Sequence, residues 1–284
     1  MRDDNKQIHK EVMLINDLPG YGKVALAAMV PLLSRMGHYT FQLPTAVVSN
    51  TLDYGKFRIQ DMTDYMRDTI KVWDELGFDP DCICTGFVLS EEQVKLIGDY
   101  IQSRSREKER LIMVDPIMAD GGKLYNGIGE DRVTAMRHLV SFSDVMVPNI
   151  TEAGFLTGIR PGAEAGTAAE IRELVDGLRA ISGKSVVITS AMDSETGQHM
   201  VVGYDHWNEE YFEVPFEYLP VRVAGSGDIF SAMMTGELLV GKPLKAGVEK
   251  AVRVLTKLIG ENHGHLQGYK GIQVEQYWEV LAEE

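Results

Sequence analysis

The stretch "VAGSGDIFSA", residues 223–232, sets one carboxylate, Asp228, directly after Gly-Ser-Gly and directly before an apolar helical run. Glycines at this spacing let the backbone curl tightly and turn its N–H groups toward a common point. The helix that follows adds its positive N-terminal end to the same point. The segment reads as an anion site at a loop-to-helix junction with an acid beside it. Asp228 has two readings here: an N-cap of the helix, or a base acting on whatever the anion site holds.

Outward from this junction the chain alternates short β-rich runs with amphipathic stretches. Residues 11–16, 39–48, 81–88, 110–115, 143–149 and 184–190 read as strands, several of them continuously apolar, as strands covered on both faces must be. Ile59, Met62, Met66, Ile70 and Trp73 fall at helical spacing, and residues 22–36, 91–104, 130–139 and 167–181 show similar, weaker patterns. After Ser190 the pattern changes to an antiparallel pair, 199–205 and 209–216, and then to helices at 227–240, 244–260 and 273–282. The expected fold is α/β, a mostly parallel central sheet with helices on both faces and a small antiparallel segment near the C-terminal third. No repeat or linker interrupts it, so residues 1–284 are expected to form one domain.

At 284 residues the chain can bury a sizeable core, and 44% hydrophobic with 25% charged residues is ordinary for a globular protein. A net charge of −14 argues against nucleic acid or anionic lipid as a partner. No apolar run reaches the length of a membrane span, and the charged start "MRDDNKQIHKE" is unlike a signal peptide. The only cysteines, Cys82 and Cys84, would share one face of a strand and are expected to be buried and reduced. These features place the protein in the cytoplasm. His263 and His265 are too few to make a metal site alone.

Ligands of open α/β sheets bind at the carboxyl ends of the strands. Asn16-Asp17, Asp115, Asn149 and Thr189-Ser190 stand at four such ends. Each also has a structural reading. Asn149 and Glu152 match a capping box, and Asp115 before Pro116 and Asp120 before Gly121-Gly122 suit turns. Together, a backbone nest that wants an anion and carboxylates that want a cation point to a phosphate ester carried with Mg²⁺. The sequence lacks a P-loop, the protein-kinase H-R-D and D-F-G set, and G-x-S-x-G. Phosphoryl transfer with Asp228 as base remains.

"AGSGDIFSA" resembles the G-[ST]-G-D signature of ribokinase-like small-molecule kinases, and the chain is most similar to the pyridoxal/pyridoxamine kinases among them. "DPIMADGGKLY" (115–125), "VPNITEAGFLTG" (147–158), "VITSAM" (187–192), "YGKVALAAMVPLL" (21–33) and "PTAVVSNTLDYG" (44–55) follow that family's segments in order. The resemblance implies ATP-dependent phosphorylation of the 5′-hydroxymethyl group of a B6 vitamer, with Mg²⁺ and a monovalent cation such as K⁺, by a homodimer. Hydroxymethylpyrimidine kinase of thiamine synthesis and a catalytically silent vitamer-binding regulator are the alternatives.

Carried over by position, Asp228 is the base, and the N–H groups of Gly225, Ser226 and Gly227 stabilise the transferring phosphoryl. Gly227 is expected to need unusual backbone angles. Asp115, Asp120, Asn149 and Glu152 would arrange Mg²⁺, the monovalent cation and the nucleotide phosphates, the metal falling to Asp115, Asp120 and Glu152. Thr189 and Ser190 would touch the phosphates beneath a flap carrying Tyr125. Asp17, Thr45, Asn50 and Phe87 would line the vitamin pocket. Three departures stand out from the family pattern: Asp17 where Ser is frequent, Phe87 for a tyrosine, and Val147 for a threonine beside the cation site.

Overall fold

A computed structural model describes residues 9–104, 108–125, 129–262 and 269–282. His263 and His265 lie outside these residues.

The first strand, β1 (Glu11–Pro19), shows why the chain folds in layers. Val12 and Leu14 enter one hydrophobic cluster and Met13 and Ile15 the other, all essentially without solvent contact. Successive side chains of a strand point to opposite faces, so a wholly apolar strand demands cover on both. Cys82 and Cys84 sort to one side and Ile83 to the other, and both thiols are free and buried.

The strands β1, β2 (Tyr39–Val48), β3 (Ile59–Asp61), β4 (Cys82–Thr85), β5 (Leu111–Val114), β8 (Val145–Met146), β9 (Ser185–Met192), β10 (His199–Asp205) and β11 (Glu210–Phe216) make one nine-stranded sheet. Its order is β11-β10-β9-β8-β5-β4-β1-β2-β3. The core pairs are parallel, and antiparallel pairing occurs at both edges, β9-β10-β11 and β2-β3. A separate hairpin pairs β6 (Ala119–Asp120) with β7 (Lys123–Leu124) through Gly121 and Gly122, both at positive φ.

Helices α2 (Thr63–Glu75), α3 (Glu91–Arg104), α4 (Glu130–Val140), α5 (Ile150–Thr157) and α6 (Ala168–Ser182) cover one face. The other face carries α1 (Ala25–Arg35), α7 (Ser226–Leu239), α8 (Leu244–Asn262) and the short α9 (Trp278–Ala282). No helix among the described residues is long and apolar enough to cross a membrane.

Three expected elements differ. Ile59 and Met62 precede the helix: Ile59 pairs with Val48 in the edge strand β3, and Asp61 then accepts hydrogen bonds from the N–H (2.7 Å) and hydroxyl of Thr63 to start α2. The strand expected at 184–190 continues to Met192. Residues 273–282 split into a 3₁₀ turn, Val274–Gln276, and α9 rather than one helix.

Candidate active site

The sheet order places β4 and β2 on opposite sides of β1, so the chain switches direction at the carboxyl end of β1. A crevice at such a switch point is where α/β sheets bind ligands. Asn16 stands there, nearly inaccessible to solvent. Its Nδ2 donates to Asp228 Oδ1 at 3.0 Å, and its Oδ1 accepts from the N–H groups of Phe87 (2.8 Å) and Asp17 (3.0 Å). The other Asp228 oxygen accepts from the Ala25 N–H at 2.7 Å. Ala25 takes a positive φ of 48°, uncommon for a residue with a side chain, to aim that N–H.

Asp228 is therefore clamped by β1 and α1, and its own helix receives no side-chain cap from it. The N-cap of α7 is Gly225, which disposes of the capping reading. Burial raises the Asp228 pKa, while its two hydrogen bonds hold the ionised form. A raised carboxylate suits a general base.

Gly225 sits at φ 79°, and a Cβ there would stand 2.7 Å from the Lys23 carbonyl oxygen. Gly227 has ordinary helical angles and open space, the nearest atom to a built Cβ being Asp115 Oδ2 at 3.9 Å. The expectation of unusual angles at Gly227 is thus corrected: Gly225 makes the turn. Gly227 keeps the phosphoryl side open, being solvent-exposed at the mouth of the nest. Gly225→Ala is expected to lower the melting temperature, by strain of about 1–2 kcal/mol plus the clash. Gly227→Ala should leave melting unchanged or slightly raised and weaken nucleotide binding. Equal melting shifts would contradict this assignment.

Asp115 ends β5 beside the nest and accepts from the Ser231 hydroxyl at 3.1 Å. Burial, Glu152 and Asp228 together push its pKa well up. Glu152 is buried too, and its pKa is raised by burial. Its Oε1 accepts from the N–H groups of Met118 (2.9 Å) and Ala119 (3.3 Å), and its Oε2 from Asn149 (2.9 Å). Asn149 completes the capping box by accepting from the Glu152 N–H, and its Nδ2 donates to the Ala119 carbonyl at 2.8 Å. The Gly122 N–H donates to the Thr151 hydroxyl at 3.1 Å. The start of α5 thus anchors the β6-β7 flap. The capping box expected from Asn149 and Glu152 is present, and it engages their polar atoms.

Asp120 is exposed at the flap turn, bonded to the Gly121 N–H at 2.9 Å, and Tyr125 follows the flap partly exposed. Burial raises the Tyr125 pKa, assisted by Glu152, Asp120 and Asp115. Among the described residues no three His, Cys, Asp or Glu side chains form a ready metal cage. Asp115 and Asp120 remain as oxygen donors, a set that suits a hard divalent cation completed by phosphates and water.

Thr189 and Ser190 sit at a register shift between β9 and β10, within the strand rather than at its end. Ser190 takes φ 55° there, which turns its exposed side chain out of the ladder.

On the substrate side the expected pocket residues separate. Thr45 is fully buried, and its hydroxyl donates to the Phe87 carbonyl at 2.8 Å, so it holds the wall and offers no free hydroxyl. Asn50 is occupied within its own loop: its Nδ2 donates to the carbonyls of Thr51 and Lys56, and its Oδ1 accepts from Ser49. Both spend their side-chain hydrogen bonds on holding the wall and loop on this side of the crevice. Asp17 stays half-buried, and its carboxylate meets its own backbone N–H but no other residue's hydrogen bond among those described. Burial and the neighbouring Asp228 charge raise its pKa to about 7.

The sequence marks Asn16 only as a strand end and carries no mark at Gly86. A Cβ on Gly86 would lie 2.3 Å from Asn16 Nδ2, so the glycine makes room for the side chain that holds Asp228. Gly86→Ala is expected to lower kcat by roughly tenfold to a hundredfold through displacement of Asn16. Steady-state kinetics would show an unchanged kcat if Asn16 were not needed.

A buried acid clamped at a switch point, beside a glycine turn into a helix N-terminus and a flap, defines a small-molecule kinase with the ribokinase-like fold. The family model described as phosphomethylpyrimidine kinase matches residues 28–273. A pyridoxine/pyridoxal/pyridoxamine kinase of Bordetella avium is 30% identical over 261 residues, covering 88% of this chain and 84% of its own. A Bacteroides thetaiotaomicron protein described as a phosphomethylpyrimidine kinase, crystallised with pyridoxal, superposes with a TM-score of 0.91 at 32% identity, covering 96% of each chain. The pyridoxal kinase of Lactobacillus plantarum gives 0.85 at 26% identity, with the same 96% coverage of both chains. The chain belongs to the pyridoxal kinase family of the ribokinase-like superfamily, within the range of that phosphomethylpyrimidine kinase model.

Proposed function

We propose that this kinase transfers the γ-phosphoryl of ATP to the 5′-hydroxymethyl group of a B6 vitamer, in salvage toward pyridoxal 5′-phosphate. The observation that carries the reading is the Asp228 carboxylate, held by Asn16 and Ala25 beside the 225–227 turn, where the Ser226 N–H bonds to the Val223 carbonyl at 3.3 Å and Gly227 lies exposed. Asp228 takes the hydroxyl proton as the alcohol attacks. The N–H groups at the start of α7 and the helix dipole stabilise the transferring charge. Asp115 and Asp120 are the residues that would hold Mg²⁺, which neutralises phosphate charge when bound. Glu152 and Asn149 fix the flap from which Asp120 and Tyr125 approach, and Thr189 and Ser190 face the nucleotide side.

Residues 1–284 act as one kinase domain in this reading. Val147 is buried and offers no side-chain oxygen to a monovalent cation, so dependence on K⁺ is expected to be loose. The free, buried cysteines support a cytoplasmic setting. A homodimer is supported by the edge strand β3, whose three residues are all exposed.

The family model's own description favours a second substrate, hydroxymethylpyrimidine, which also presents a ring CH₂OH. A panel of kcat/KM values for pyridoxal, pyridoxamine, pyridoxine and hydroxymethylpyrimidine separates the two. The B6 vitamers are expected to lead by at least about tenfold, the scale of pocket discrimination between similar substrates. A lead for the pyrimidine would reverse the assignment, and no ATP consumption with any of them would leave a silent binder.

A further inference from the structure

We propose that Arg222 is a phosphate-contacting residue of this kinase, and that Asp53 holds it in reserve while the nucleotide phosphates are absent. The inference rests on the kinase reading above and adds a cation to it. Arg222 lies in the loop between β11 and α7, three residues ahead of Gly225. Val223 and Ala224, both buried, pin that loop to the fold. The Arg222 side chain is 61% exposed and free to swing, while Asp53 is 23% exposed.

The two side chains meet at 2.8 Å, Nη2 to Oδ1. Asp53 belongs to the 3₁₀ turn Leu52–Tyr54, which follows β2 on the substrate side of β1. The ion pair therefore bridges the two sides of the crevice next to the nest. Arg222 also lies within electrostatic reach of the Tyr125 phenol, which feels Asp120, Asp115 and Glu152 as well. The guanidinium thus lies between the loop that leads into the Gly225 turn and the flap residue Tyr125.

Chemistry favours an exchange of partners. The nest supplies neutral N–H donors, whereas a polyphosphate beside Asp115, Asp120 and Asp228 needs positive charge. A guanidinium binds phosphate through paired hydrogen bonds at least as well as it binds one carboxylate. An exposed ion pair is weak and is given up readily. Asp53 then acts as a competitor for the same arginine.

A purely structural tie between the two loops would make loss of either partner act in the same direction. Competition predicts opposite signs. Calorimetric titration of ATP with Mg²⁺ into wild type, Arg222→Gln, Asp53→Asn and the double variant reads this directly. Arg222→Gln is expected to weaken ATP binding by roughly tenfold with pyridoxine affinity unchanged. Asp53→Asn should tighten ATP binding by about twofold to fivefold, and the double variant should match Arg222→Gln. ATP affinity within twofold of wild type in Arg222→Gln, or weakened by Asp53→Asn, overturns the proposal alone. Absence of ATP binding by the wild type overturns the kinase reading and this proposal with it.

Discussion

Replacing Asp228 with Asn is expected to lower kcat by about 10²–10⁴-fold, the usual range for loss of a general base, while ATP still binds. The amide keeps the shape of the side chain but cannot take the proton of the attacking alcohol. It also sets an NH₂ against one of two donors, since Asp228 Oδ1 faces Asn16 Nδ2 and Oδ2 faces the Ala25 N–H. A melting curve and an ATP titration on the same variant separate that local mismatch from lost chemistry. The pH profile gives a second sign. Burial raises the Asp228 pKa, so wild-type kcat should climb with pH through a range above that of an ordinary carboxylate, as the base loses its proton. Normal turnover by Asp228→Asn would reduce Asp228 to a clamp between α7, β1 and α1.

A preference for pyridoxamine over pyridoxal is the second large effect expected. Pyridoxamine carries an aminomethyl cation where pyridoxal carries a neutral aldehyde. Asp17 neighbours Asp228 in the crevice, and beyond its own backbone N–H its carboxylate has no hydrogen-bond partner among the described residues. It is therefore available to a ligand and does not cap the turn at Gly20–Gly22. A charge-assisted hydrogen bond is worth about 1–3 kcal/mol, or roughly tenfold to a hundredfold in relative kcat/KM. The pKa of about 7 fixes the pH dependence. Below it Asp17 is protonated and the preference fades; above it Asp17 is ionised and the preference grows. Paired kcat/KM values from pH 6 to 8, in wild type and Asp17→Ser, check both points. A ratio unmoved by pH and by the substitution would mean that Asp17 does not meet the amine.

Periodicity made the layers legible because β1 is apolar on both faces, and one motif, Gly-Ser-Gly-Asp, located the nest and its acid. It failed at Ile59, where pairing with Val48 at the sheet edge outweighed an apolar spacing that fitted a helix equally well. The carboxylates at the site were visible as residues, but their partners were not. The capping box of Asn149 and Glu152 is legible locally, but nothing local shows that Met118 and Ala119 return to bond them across the fold. The bond from Thr45 to the Phe87 carbonyl leaves no local trace either. The contact of Gly86 with Asn16 joins positions 70 residues apart and has no sequence signature, since the glycine needs room and not a special φ.

Phosphorylation of a B6 vitamer at its 5′-hydroxymethyl group is tested most directly by the identity of the product. Wild-type protein is incubated with ATP, Mg²⁺ and pyridoxamine, and the product is examined by mass spectrometry and phosphorus NMR. One added phosphoryl group is expected, as an ester coupled to the 5′ methylene protons, formed with release of one ADP per ester. ATP hydrolysed without an ester, an ester at another position, or phosphorylation of hydroxymethylpyrimidine alone would contradict it.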